Sequence, residues 1–152
     1  MSDTPSAVGD LERTLDALQR AEQRDFDGVM RIFGPAAVWD VTRWGLGHHT
    51  GRPAIRRFLQ DWVGGMEEYT VELDEATDVG GGVVFITAVQ RAKPSGSRAR
   101  LLLRYAIVFV WVDGLLSTII DYQDIEEGRA AAVAAAGHAA AADEAGLARG
   151  RG

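Results

Sequence analysis

The stretch RLLLRYAIVFVWVDGLLSTIIDYQDI, residues 100–125, decides how this chain folds. Its first half is apolar at consecutive positions rather than alternate ones, so a strand built from it is buried on both faces. Asp113-Gly114 is a strong hairpin signal, because a two-residue turn needs positive φ and these residues tolerate it. The segment LLSTIIDYQDI then returns as the last strand. One face of the long strand meets helices of the same chain; the other needs cover, which predicts a homodimer.

Upstream, the period of two continues. Tyr69, Val71 and Leu73 alternate with Thr70, Glu72 and Asp74, as in a half-exposed strand. The turn VGGG leads into the strand VVFITAVQRA, and KPSGS turns the chain again towards residue 100. These segments make a four-strand antiparallel meander.

Before residue 66 the period is helical. Apolar residues at 11, 15, 18 and 21 form one stripe, with Asp10 placed as an N-cap. RDFDGVMRIFGP reads as a turn and a short second helix, ended by Gly34-Pro35. Residues 36–44 read as a strand, and GLGHHTG as a turn with a short return strand. GRPAIRRFLQDWVGG is a third amphipathic helix, with Pro53 in its first turn and Gly64-Gly65 as its stop. The tail GRAAAVAAAGHAAAADEAGLARGRG has no bulky ridge with which to dock, which predicts a frayed helix or a disordered end over 128–152. His138 within it is expected to be exposed and inert.

Helices followed by a run of strands define an α+β class: three N-terminal helices on a curved, mainly antiparallel sheet. Such a sheet, half closed by helices, makes a cone with an internal cavity suited to a small molecule.

The whole-chain chemistry narrows the function. With 22 acidic and 16 basic side chains the net charge is -6, which argues against general nucleic-acid binding. No cysteine is present, so disulfides, thiolate catalysis and cysteine zinc sites are excluded. The N-terminal residues lack the basic start and apolar core of a signal peptide. The run from Ala106 to Val112 is far short of the ~20 residues that span a bilayer. A cytoplasmic protein with no membrane role is expected. No metal or cofactor is expected either, since His48 and His49 have no further ligand nearby in sequence.

Three passages, RDFDGVMRIFGPAAVWD, TGRPAIRRFL and VFVWVDGLLSTIIDYQD, resemble in order and spacing the nuclear transport factor 2-like superfamily. Within it the chain is similar to SnoaL-like proteins, a group with polyketide cyclases, ketosteroid isomerases and limonene-type epoxide hydrolases. The resemblance covers roughly residues 8–127 and leaves the tail outside; it implies the cone-shaped fold with a pocket.

Residue by residue, the resemblance places Asp40 on the general base of ketosteroid isomerase. That enzyme also uses a tyrosine and a protonated aspartate as an oxyanion hole. Those positions fall here on Ala17 and among Ala106, Ile107 and Val108. The catalytic acid of the epoxide hydrolases falls on Asp121, but their Arg-x-Asp falls on Ile86 and Ala88. The aspartate of SnoaL-type cyclases falls on Asp121 or Asp124, which a regular strand points to opposite faces.

The catalytic candidates are therefore Asp40 and Asp121. Asp40 among apolar neighbours suits a base with a raised pKa, while the same position equally suits a strand-end carboxylate paired with Arg43 or hydrogen-bonded to the turn. Trp44, His48, Trp62, Tyr105 and Asp124 are the substrate-binding candidates. The implied function is a cofactor-independent cyclase, isomerase or dehydratase acting on a hydrophobic, carbonyl-bearing substrate. The alternative is a non-catalytic ligand-binding or dimerisation module of the same fold.

Overall fold

The computed structural model describes residues 9–150, with side chains as far as residue 142. Helices α1 (Asp10–Glu22) and α2 (Phe26–Met30) precede β1 (Phe33–Asp40), a 3-10 turn (Thr42–Trp44) and β2 (His48–Thr50). Helix α3 (Arg52–Gly64) leads to β3 (Met66–Gly80), β4 (Val83–Pro94), β5 (Leu101–Val112) and β6 (Leu115–Tyr122), and α4 (Ile125–Gly150) closes the chain.

The strands form one six-stranded sheet in the order β2-β1-β6-β5-β4-β3. Every neighbouring pair is antiparallel except β1 with β6, which run parallel. Asp113 and Gly114 turn the β5–β6 hairpin, both with positive φ (52° and 80°). The helix before β1 ends earlier than Gly34-Pro35 predicts, and these two residues open the strand. Pro35 has no N–H to give, and it sits where the β1–β6 ladder skips from Phe33 to Val38. Asp10 is the first residue of α1 rather than its cap; Gly9 holds that place.

Two apolar layers cover the sheet. On the concave side, Ile55, Leu59 and Val63 of α3 pack with Val84, Ile86, Phe109 and Trp111. Helix α1 is tied to the same side through the buried Thr14, whose Oγ1 accepts from the Trp111 indole N–H at 2.8 Å. Three helices on this side agree with the sequence reading.

The convex side departs from it. Val83, Phe85, Ala106, Val108 and Tyr122 are buried there beneath α4, with Ala132 only 1% exposed. Small residues are what let this helix dock. A Cβ on Gly128 would stand 3.0 Å from the Cβ of Ala106, so the two backbones are already close. Arg129 anchors the helix with a two-pronged pair to Glu75 (2.8 and 3.0 Å) and stacks over the Phe85 ring. The expected frayed or disordered tail is therefore a helix whose first turns are packed.

That helix covers part of the face that the sequence reading assigned to a second copy. Beyond the helix the convex face carries the ion pairs Arg104–Asp74 (3.2 Å) and Arg91–Glu72 (3.5 Å), with Leu102 and Val112 of β5 exposed on the same face.

Candidate active site

The concave face of the sheet and helices α1 to α3 enclose a cavity of about 290 Å³. Its walls are mostly apolar: Ala17 and Leu18 from α1, Phe58, Leu59 and Trp62 from α3, and Phe109 and Ile119 from the sheet. Trp44 reaches it from the 3-10 turn and meets Tyr105 edge-on, with centroids 6.4 Å apart. A pocket of this size and lining suits a small, largely apolar guest.

Polar groups enter along one line. Asp121 on β6 stands opposite Ile107 of β5, and the next inward residue of β5 is Tyr105. Tyr105 stands opposite Ala88 of β4, whose next inward neighbour is Gln90. Gln90 in turn stands opposite Val71 of β3, and the next inward residue there is Tyr69. Asp121, Tyr105, Gln90 and Tyr69 thus form a diagonal stripe across four strands, each lining the cavity. Diagonal neighbours on one face lie ~7–8 Å apart, within reach for long side chains.

Asp121 is buried, and its Oδ1 accepts from the Trp39 indole N–H at 2.8 Å. Burial pushes its pKa up to about 7; the Trp39 bond pulls the other way and the charge of Asp40 adds slightly to the rise. Burial likewise raises Tyr105 and Tyr69, and the Asp121 charge adds to both. Both phenols keep their protons at neutral pH and serve as donors. Tyr105 donates to Gln90 Oε1 at 3.4 Å, while Gln90 Nε2 has no partner among the described residues.

Four of the residues singled out from sequence meet in this cavity: Asp121, Trp44, Trp62 and Tyr105. Asp40, His48 and Asp124 do not line it. On β1, Trp39 pairs with the inward Ile119, so Asp40, one residue on, lies opposite Ile120 and faces the convex side. Its Oδ1 accepts from Thr42 N–H (3.0 Å) and Thr42 Oγ1–H (2.6 Å), and its Oδ2 lies 3.6 Å from both Arg43 and His48. These partners hold its pKa below the usual carboxylate value despite partial burial. Of the two sequence readings of Asp40, its geometry is that of the strand-end carboxylate, paired with Arg43 and hydrogen-bonded to the turn, and not that of a base aimed into the cavity.

His48 is 61% exposed at its side chain, on the far side of that same carboxylate. Asp124 is exposed and caps α4, accepting from Glu127 N–H at 3.0 Å. Gln90 was missed from sequence, although it holds the inward phase of Val84, Ile86 and Ala88. Among the described residues no group of three or more His, Asp or Glu has a metal-binding arrangement, and no helix is long and apolar enough to cross a membrane.

A curved sheet capped by helices over a mostly apolar chamber defines a class of small-molecule pocket proteins. Comparison gives the family: residues 11–119 match the model of the SnoaL-like domain, and the chain belongs to that family. Among solved structures it is similar to one named for SnoaL-like polyketide cyclases, from Shewanella putrefaciens CN-32. That likeness has 12% identity and a TM-score of 0.66 over 82% of this chain and 96% of the other. TerC, co-crystallised with polyporic acid, is 17% identical with a TM-score of 0.64, covering 82% and 97%. An LEH-like epoxide hydrolase of M. tuberculosis is 21% identical with a TM-score of 0.62, covering 83% and 93%. At these identities the likeness concerns the fold. Among curated proteins none matches the sequence.

Proposed function

We propose that the chain is a cofactor-independent acid/base enzyme, an isomerase, cyclase or dehydratase, acting on a hydrophobic carbonyl compound. The observation that carries this reading is Asp121: a buried carboxyl at the wall of an apolar cavity, with a pKa of about 7. A carboxylate with that value is a far stronger base than an ordinary aspartate, and still returns its proton at neutral pH. In the proposed step, Asp121 takes a proton from the carbon next to the carbonyl. The C–H electron pair moves into the carbonyl, giving an enolate, and the proton then returns to carbon or to a leaving oxygen. Polyporic acid in TerC supports a ring compound as the guest of such a cavity.

A second reading is a ligand-binding protein without turnover. It is favoured by Ala17 and the apolar Ala106, Ile107 and Val108, which stand where the resemblance places the isomerase donors. Deuterium exchange at the carbon next to the carbonyl of β-tetralone, followed by NMR in D2O, separates the two. The enzyme reading expects exchange well above the buffer rate, abolished in Asp121→Asn with the ketone still bound. Binding without acceleration in the wild type selects the ligand carrier.

A further inference from the structure

We infer that Gln90 and Tyr69 are the hydrogen-bond donors that hold the ligand's carbonyl oxygen, with Tyr105 as the positioning residue that aims the Gln90 amide. The inference deepens the proposed function and rests on its placing a carbonyl compound in the cavity.

The first support is an unpaired donor. Gln90 is only 4% exposed, and its Nε2 has no partner among the described residues, whereas native proteins pair nearly all buried polar groups. A buried amide left half-satisfied in a cavity wall costs stability, and a ligand oxygen would repay it. The second support is orientation. The Tyr105 hydroxyl donates to Gln90 Oε1, which holds the oxygen of the amide and leaves its NH2 group to the guest. Burial and the neighbouring Asp121 charge keep the Tyr105 phenol protonated for that task.

The third support is Tyr69. Its side chain lines the same cavity two inward positions along the diagonal from Tyr105, and its hydroxyl makes no hydrogen bond to another described residue. The stripe is therefore divided in two. Asp121 at one end is the proton acceptor; Gln90 and Tyr69 at the other end are donors with open valences. Between them lies Tyr105, its hydroxyl turned to Gln90. The arrangement fits a ring compound that presents the C–H next to its carbonyl to Asp121 and the carbonyl oxygen to the donors, where the negative charge arrives when the C–H bond breaks. Donors of this kind are worth most in such a dry site. They stand on β4 and β3, away from Ala17 and from the β5 stretch Ala106, Ile107 and Val108.

The probes are fluorenone and fluorene, which share a flat skeleton and differ in a carbonyl against a methylene. Binding is read by quenching of tryptophan emission, and the carbonyl stretch of bound fluorenone by infrared difference spectroscopy. Fluorenone is expected to bind the wild type roughly tenfold more tightly than fluorene, the worth of about one net hydrogen bond, with its stretch shifted to lower frequency. Gln90→Leu and Tyr69→Phe, each checked for folding by circular dichroism, should each shrink both the preference and the shift. Tyr105→Phe should weaken the shift without removing it, and Asp40→Asn, outside the cavity, should keep both. Equal binding of the two probes, or an unshifted stretch, overturns the donor assignment and leaves the Asp121 reading standing. Failure of both probes to bind the wild type overturns the cavity reading along with it.

Discussion

The indole N–H of Trp39 donates to Oδ1 of Asp121 at 2.8 Å, joining residues 82 positions apart in the chain. The contact exists because β1 and β6 run parallel, with Trp39 level with Ile119 and Asp121 the next residue on that face. It is the one hydrogen bond the protein gives this carboxyl among the described residues, and it opposes the burial that raises its pKa.

Replacing the donor moves that balance. Trp39→Phe removes the bond that favours the charged form, so the Asp121 pKa rises above its value of about 7. A titration of the Asp121 carboxyl carbon by NMR checks the direction. The pH profile of β-tetralone exchange should move the same way, to higher pH.

Asp40→Asn tests the opposite sign. The Asp40 charge raises Asp121, so removing it lowers the Asp121 pKa slightly. Exchange activity should stay within a few-fold of wild type. The loss of the Arg43 and His48 pairs should cost no more than ~1 kcal/mol, as for other exposed ion pairs. A loss of activity as complete as that of Asp121→Asn would return Asp40 to the reaction.

Asp121 also links stability to pH. Its folded pKa of about 7 stands above the ordinary 3.8, so the unfolded chain releases this proton first. Between those values the folded state binds more protons, and stability falls as pH rises through the window. The full effect is on the order of 4 kcal/mol at 1.36 kcal/mol per unit. Urea unfolding at pH 5 and pH 8 should show Asp121→Asn gaining on the wild type as pH rises. A gap between the two proteins that does not change with pH would contradict the burial of a carboxyl in the cavity.

On the convex side, Ala132→Leu inserts bulk where α4 lies against Val83, Phe85 and Val108. Overpacking of this kind costs ~1–3 kcal/mol, read as a lower Tm. A chain ending at residue 124 uncovers the same apolar side chains and should self-associate more strongly than the full chain in light scattering.

Much of this architecture is legible in sequence. The two-residue period, the Asp113-Gly114 turn and the apolar stripes of α1 and α3 are local signals, and the structure places those elements as read. Asp121 was legible as one of two aspartates on the last strand, with only one able to face inward. Asp40 stayed open between a base and a strand-end carboxylate because Val38, Trp39 and Val41 flank it with apolar side chains on both sides, so composition gave no parity to its strand. The parity comes from Trp39 turning inward to meet Asp121. The docking of α4 escaped the sequence because alanine carries little apolar bulk to announce a buried face. What makes it pack is closeness of approach, as Gly128 against Ala106 shows.

By itself, then, the chain's pattern determined the helices, the meander and a greasy chamber beneath them, because periodicity and turn chemistry act between near neighbours. Which polar groups enter that chamber was decided only by strand register. Asp121, Tyr105, Gln90 and Tyr69 are scattered over 53 positions of sequence, and a slip of one residue in any ladder would turn one of them out to the opposite face.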